Sequence, residues 1–373
     1  CFNYLTDLFN ALRNIRMVST IQLVNSMAFA AFGIALLLFW QPNAQSAIVA
    51  YGGACVVSLL VAWRSIRNAE HAEPRSTETL GKCELWRKLI PFAAWIWVSC
   101  FLASVFDLVD RYLILHASAM SDSEALALIG QYHSARIIPT LLVSIAALLG
   151  AMVTPHLVCD WEQGRRDRVS DRLNLFLKLS TLAFAAVSIL VLLAAPLLFR
   201  ITFFGKFAEG EAVLPWALAA AVWFGVASIA QNYLWCAEKA YLGGVALLIG
   251  LVCKVLLNLW LLPILGLEGA VIGTGLANAI ALLMTCIACC LVGFHMDRST
   301  WFLMALPPVV CVGPWIALAV LAVLAVDAFC ANHLFSAEER SILRETWRDY
   351  AKRVQALPIL SQWLGHEAFE REP

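Results

Sequence analysis

The sequence predicts an all-α fold, a polytopic helical membrane protein of about nine transmembrane helices. Three observations predict it. Of 373 residues, 61% are apolar and 14% are charged, whereas soluble domains carry about 25% charged residues. The apolar residues gather in runs near the ~20 residues that a helix needs to cross the hydrocarbon core. The basic residues between the runs alternate in abundance from loop to loop. A soluble chain of this length could not hide so much apolar surface, and a lipid-facing exterior removes the difficulty. The composition excludes a disordered chain, a collagen-like chain and a typical soluble enzyme. Lys and Arg total 26 against 26 Asp and Glu, so the charge balance gives no reason to expect nucleic acid.

Ahead of the first run lies an amphipathic stretch, FNYLTDLFNALRNIRM, over 2–17. The chain opens on Cys1 with no charged leader and no small-residue cleavage site, so it reads as a partial chain. The runs then follow at 18–40, 46–63, 90–115, 133–157, 176–199, 213–233, 242–265, 269–294 and 302–329. Helices are the only sensible spans, since a barrel would show short alternating strands. Trp40, Tyr51, Trp63, Trp86, Tyr112, Trp161, Trp235, Tyr241 and Trp301 stand near run ends, as interfacial anchors do. The loops on the N-terminal side of the membrane carry fifteen basic residues, concentrated at 64–88 and 165–178, and the opposite loops carry only Arg200 and Lys206. The positive-inside rule makes the basic side cytoplasmic.

The last run contains Pro307-Pro308 and Gly313-Pro314, which leaves its path the least defined. The tail, 331–373, is polar. Ser336 and Glu339 have capping-box spacing, and Arg340, Arg344, Arg348 and Lys352 follow four apart on one helix face. Nine spans place this tail outside, while a basic stripe favours the anionic cytoplasmic leaflet. A solvated helix of mixed charge explains the stripe equally well.

Ionisable groups inside a span are costly and mark functional sites by default. Arg111, Arg136 and Lys254 are the basic residues outside loops and tail, and Asp107 and Asp110 join them in the third run. Asp107 and the Asp110-Arg111 pair share a helix face, as a cavity wall or as a local ion pair. Arg136 opens the fourth run and serves either the cavity or outer headgroups, reached by snorkelling. Lys254 lies about twelve residues into its helix, too deep to snorkel readily, with Asn258 one turn on. Gln22, Asn25, Gln231, Asn232 and Asn278 read as helix–helix glue, and Gly269, Gly273 and Gly275 as a close-packing face. Cys286-x-x-Cys289-Cys290 lies mid-span without the further ligands a metal site needs. No catalytic motif appears, and the outer loops are too short to build an enzyme site. Catalytic residues, metal ligands and cofactors are all expected to be absent.

The stretch KVLLNLWLLPILGLEGAVIGT at 254–274 resembles the segment LNLxLIPxxGxxGAAxAT of the polysaccharide exporters and lipid-linked oligosaccharide flippases. These belong to the multidrug/oligosaccharidyl-lipid/polysaccharide (MOP) exporter superfamily. Asp110-Arg111-Tyr112-Leu113, Gly130-Gln131-Tyr132, Pro155 and Trp161-Glu162 are similar, in order and spacing, to a second run of that family. His116 departs from it, standing near a common glycine. Pro263 is expected to end one helix and Gly266/Gly269 to turn the chain into the next.

The resemblance implies a two-lobe transporter that has lost about four N-terminal helices. It divides the chain into 1–66, an amphipathic lead-in and the last two helices of an incomplete N-lobe; 67–89, a cytoplasmic inter-lobe loop; 90–294, a complete six-helix C-lobe; 295–330, an additional helix; and 331–373, the polar tail. It implies flipping of a polyprenyl-diphosphate-linked oligosaccharide or polysaccharide precursor by alternating access, in a bacterial inner membrane and beside cell-envelope glycan assembly enzymes. Arg111, Arg136 and Lys254 would meet the diphosphate, with Asn258 as a neutral partner. Two alternatives stay open. One is a cation-coupled drug or metabolite antiporter using Asp107 and Asp110. The other is a membrane glycan polymerase or acyltransferase.

Overall fold

A computed structural model describes Thr6, Phe9 and residues 15–40, 43–69, 82–117, 121–203, 208–330, 334–336, 339–341 and 344. Most of the lead-in, the centre of the 67–89 loop and the tail beyond Arg344 lie outside the described residues. Regular structure among the described residues is helical throughout, as intramembrane backbone requires when each N–H must find its carbonyl within the segment. Eight helices are long and apolar enough to cross a membrane. The chain forms two compact units, Cys1–Lys88 and Leu89–Pro373.

The first unit is a helical hairpin of α1 (Ile15–Phe39) and α2 (Ala44–Ala69). Asn43 starts α2 by accepting the backbone N–H of Ser46 on its side-chain oxygen at 3.2 Å. Polar glue holds the pair: the Ser58 hydroxyl donates to Asn25 Oδ1 at 3.3 Å. Gly53 sits against the Phe32 ring, so the small residue lets the two helices close up. Most other side chains of α1 are exposed and apolar, as on a lipid-facing surface.

The second unit contains α3 (Lys82–Ala117, which begins just before the unit boundary), α4 (Asp122–Glu162), α5 (Arg166–Phe203), α6 (Ala208–Cys236), α7 (Ala240–Leu265) and α8 (Leu267–Leu291). Ser121 and Glu124 start α4: the Ser121 backbone N–H donates to the Glu124 carboxylate at 3.0 Å. Helix α6 is the most buried of the spans. It is rich in Ala where neighbours press closest, and it packs on α4, α5 and α8. Two of the expected glue residues join these helices: Asn232 accepts the Thr154 hydroxyl at 2.8 Å, and Asn278 donates to the Ala220 carbonyl at 2.9 Å. Gln131, which was not among them, accepts the Gly210 N–H at 3.2 Å.

Helices α7 and α8 form a tight hairpin. Pro263 does not end α7, as the sequence suggested; the helix continues to Leu265 and stops at Gly266, whose φ is +57°. A proline in the last turn forfeits one backbone bond, whereas the left-handed backbone at Gly266 reverses the chain. Gly269 then lies against the Leu261 carbonyl, and Gly273 against the Asn258 amide.

The ninth run does not form one continuous helix. It breaks into α9 (Arg298–Met304), α10 (Val309–Val312) and α11 (Pro314–Cys330). Pro307, Pro308, Gly313 with its φ of +139° and Pro314 interrupt the helical bonding. The Trp223 indole N–H donates to the Met304 carbonyl at 2.9 Å. Val310 and Ala317 flank Ala185 and Ile189, halfway along α5. Both arms then run back toward the start of α5. Lys178 Nζ lies 2.7 Å from Asp297 at the entrance of the first arm and 2.8 Å from Glu339 beyond the second. The segment enters beside Lys178, turns halfway down α5 and returns. The described start of the tail therefore lies at the same end of α5 as the basic residues Arg165, Arg166, Arg168 and Arg172. The capping box forms, with the Glu339 N–H donating to Ser336 Oγ at 3.1 Å and the Ser336 N–H to Glu339 Oε2 at 2.7 Å. Arg348 and Lys352 lie outside the described residues.

Candidate functional site

Helix α3 carries Phe106, Asp107 and Asp110 along one side, where α4, α7 and α8 face it. Asp110 is fully buried, and so is Lys254 on α7. Their charges meet at 2.8 Å. A carboxylate inside a membrane protein needs every oxygen satisfied, and four side chains from three helices supply the donors. Asn258 Nδ2 donates to Asp110 Oδ1 at 2.8 Å, and the Thr274 hydroxyl, from α8, to the same oxygen at 3.1 Å. The Tyr132 hydroxyl, from α4, donates to Oδ2. Lys254 in turn donates to the Phe106 carbonyl at 2.5 Å and sits 4.1 Å from the centre of the Phe106 ring. The hairpin geometry makes this possible, because Gly273 leaves room for Asn258, whose Oδ1 would lie 2.2 Å from an added Cβ.

Arg136 occupies the rim of this network. Its guanidinium pairs with Asp107 at 2.7 Å and approaches Asp110 at 3.9 Å. It also lies 5.5 Å from the Tyr132 ring centre. Its side chain is 25% exposed, that of Asp107 66%. Both line a pocket of about 80 Å³, with Tyr132, Thr274, Phe106 and Phe224 among its walls. Two carboxylates and two cations thus balance within one cluster. The buried pair is committed to internal bonds, and the rim pair remains open to exchange with a ligand.

Of the six residues singled out in the sequence, Asp107, Asp110, Arg136, Lys254 and Asn258 come together. Arg136 and Asp107 face the pocket; Lys254 and Asn258 stand behind it, bonded to Asp110. Arg111 is exposed and does not line the pocket. Tyr132 and Thr274 were missed. The signal for both was a buried carboxylate's need for donors, and Tyr132 lies one turn before Arg136. A second polar cluster went unseen because Lys178 reads as a loop lysine. It is buried, and beside it Asn174 donates to the His295 carbonyl at 2.6 Å and accepts the Thr300 hydroxyl at 2.9 Å.

Comparison by sequence with protein-family models and with curated proteins finds no match. Comparison of folds finds the solved structure of lipid II flippase MurJ in its inward closed conformation. The TM-score is 0.55 at 12% identity, over 88% of this chain and 71% of that one. The likeness is one of fold: this chain shares the helical architecture of that structure.

Proposed function

We propose that this protein is a transporter that flips a lipid-linked, anionic glycan precursor across the membrane. The substrate of this reading is a polyprenyl-diphosphate-linked oligosaccharide or polysaccharide precursor, carried by alternating access in a bacterial inner membrane. Residues 90–294 serve as one six-helix lobe of the mechanism. The assembly enzymes of the cell-envelope glycan supply and consume the cargo. The observation that carries the reading is Arg136: a partly exposed cation on the wall of an intramembrane pocket, in a fold shared with a lipid II flippase. A diphosphate entering the pocket competes with Asp107 for the guanidinium, which offers planar, bidentate hydrogen bonding to phosphate oxygens. Behind it, Lys254, Asn258, Thr274 and Tyr132 hold Asp110 and fix the wall in place. Asp110 also bears on the antiporter alternative. Its oxygens are already engaged by an ammonium and three neutral donors, so a coupling cation would have to displace Lys254.

The test is flipping of a fluorescent polyprenyl-diphosphate glycan in proteoliposomes, read by its access to an external quencher. Arg136→Gln is expected to lower the rate at least tenfold at normal protein abundance, with Arg136→Lys intermediate because the charge is kept and the bidentate geometry lost. No acceleration over empty liposomes by the native protein, or full activity of Arg136→Gln, would overturn the reading.

A further inference from the structure

The pocket beside the Asp110 cluster is electrically balanced before any cargo enters. The charged residues of its described lining are Asp107 and Arg136, and behind it Lys254 balances Asp110. Arg111 is exposed and outside the lining, where surroundings of high dielectric weaken its reach. We propose that Asp107 is a built-in competitor that sets a threshold for occupancy of Arg136. Singly charged phospholipid phosphates fall below that threshold, and doubly charged diphosphates rise above it. The proposal rests on the reading of the cargo as a lipid-linked anionic glycan, and it adds how the same site excludes the lipids of the bilayer.

Three observations carry it. First, the two carboxylates near Arg136 differ in how far they are committed. Asp110 is fully buried, and its oxygens are engaged by Lys254, Tyr132, Asn258 and Thr274. Asp107 has one hydrogen-bond partner among the described residues, Arg136 at 2.7 Å, and its side chain is 66% exposed. Asp107 is therefore the anion that a ligand displaces, and it can swing aside without breaking any other hydrogen bond. Second, the guanidinium is not free. One terminal nitrogen lies 2.7 Å from Asp107 and the other 3.9 Å from Asp110. A phosphodiester brings one negative charge, which Asp107 already supplies, and the carboxylate tethered beside the guanidinium holds the advantage of high effective concentration. Displacing Asp107 costs every ligand the same. A diphosphate recovers that cost, because attraction to the guanidinium grows with the charge of the entering group. Third, the pocket is small and its other walls are largely apolar. Its volume is about 80 Å³, the share of two or three waters at about 30 Å³ each. That admits a phosphate group and not a whole sugar. Phe106, Val143, Phe224 and Val271 stand in the lining and screen charge poorly, so recognition turns on the charge of the group that enters. Phospholipid phosphodiesters surround the protein in vast excess. An unpaired Arg136 would be occupied by them, and the Asp107 pair keeps it available for the stronger anion.

Binding of a farnesyl-diphosphate-linked N-acetylglucosamine to the full chain in neutral detergent micelles, with and without excess phosphatidylglycerol, tests the assignment. In lipid-free micelles Asp107→Asn is expected to bind the probe about tenfold more tightly than the native protein, the scale of one partly exposed charge-assisted hydrogen bond. Phosphatidylglycerol, with its single charge, is expected to weaken the native protein's binding by less than about twofold and that of Asp107→Asn by roughly fivefold or more. Asp107→Glu, which keeps the competing charge, is expected to stay as indifferent to the phospholipid as the native protein. Arg136→Gln is expected to lose the probe in both micelles. Strong competition by phosphatidylglycerol against the native protein would refute the threshold and needs no variant. An Asp107→Asn protein with native affinity, or one indifferent to phosphatidylglycerol, would also refute it, while loss of the probe in Arg136→Gln would leave the transport reading standing. Failure of the native protein to bind the probe would overturn both.

Discussion

Removing the Lys254 ammonium should destabilise the protein far more than removing both charges of its pair. Lys254 and Asp110 are each 0% exposed and meet at 2.8 Å. At that distance, with an effective dielectric constant near 20, the attraction is about 6 kcal/mol. The cost of withdrawing both ions from solvent offsets much of it, and breaking one side of such a pair costs about 3–5 kcal/mol. Lys254→Met leaves the Asp110 carboxylate with only neutral donors close by and Arg136 at 3.9 Å. Asp110→Asn leaves the ammonium with the Phe106 carbonyl and ring. The double variant keeps the volume and carries neither charge, so it should lose only about 1–2 kcal/mol, well below the sum of the two singles. The assay is the fraction of detergent-solubilised protein that survives a heat step, together with abundance in the membrane. Single variants as heat-resistant as the native protein, or a double variant as impaired as the sum of the singles, would refute the reasoning. A normal, heat-stable Lys254→Met that no longer transports would instead make Lys254 a contact for the cargo.

Two further outcomes follow from the packing. Gly269→Ala places a Cβ 2.3 Å from the Leu261 carbonyl oxygen; because backbone cannot give way, it should cost about 1–3 kcal/mol in the same heat assay. Gly52→Ala, with nothing within 4 Å of the added carbon, should be silent. Single cysteines introduced at Arg165 and Ser336 should react with a membrane-impermeant maleimide only after the membrane is opened from the cytoplasmic side, whereas one at Asn43 should react from outside. Labelling of the Arg165 and Ser336 positions from opposite sides would exclude the returning path of α9–α11.

The helical class and the first eight spans were legible because bilayer thickness sets a length that hydropathy alone can measure. Runs of apolar residues bounded by Trp, Tyr and basic loops need no tertiary context. The ninth run had the same composition, yet Pro307, Pro308, Gly313 and Pro314 break it, and α11 returns beside α5. Hydropathy does not distinguish a segment that crosses from one that turns back, because both avoid water. The breakers were visible, but only the contacts of Val310 and Ala317 with the middle of α5 show which way the chain goes afterwards.

The polar residues divide in the same way. Sequence alone marked Asp107, Asp110, Arg136 and Lys254 as exceptional, since an ionisable group in hydrocarbon needs a reason to be there. It could not assign their partners, because those come from helices up to 164 residues apart in the chain, as between Asp110 and Thr274. Lys254 was expected to face the cavity as a cation. The fold places it behind the wall against Asp110, and Arg136 on the wall itself, because rotation about a helix axis is fixed by neighbouring helices and not by the helix's own residues. Lys178 shows the limit most clearly. By composition it belongs to a basic loop, and only the approach of Asp297 and Glu339 makes it a buried ion, since burial of a charge depends on which counter-charges the fold delivers to it.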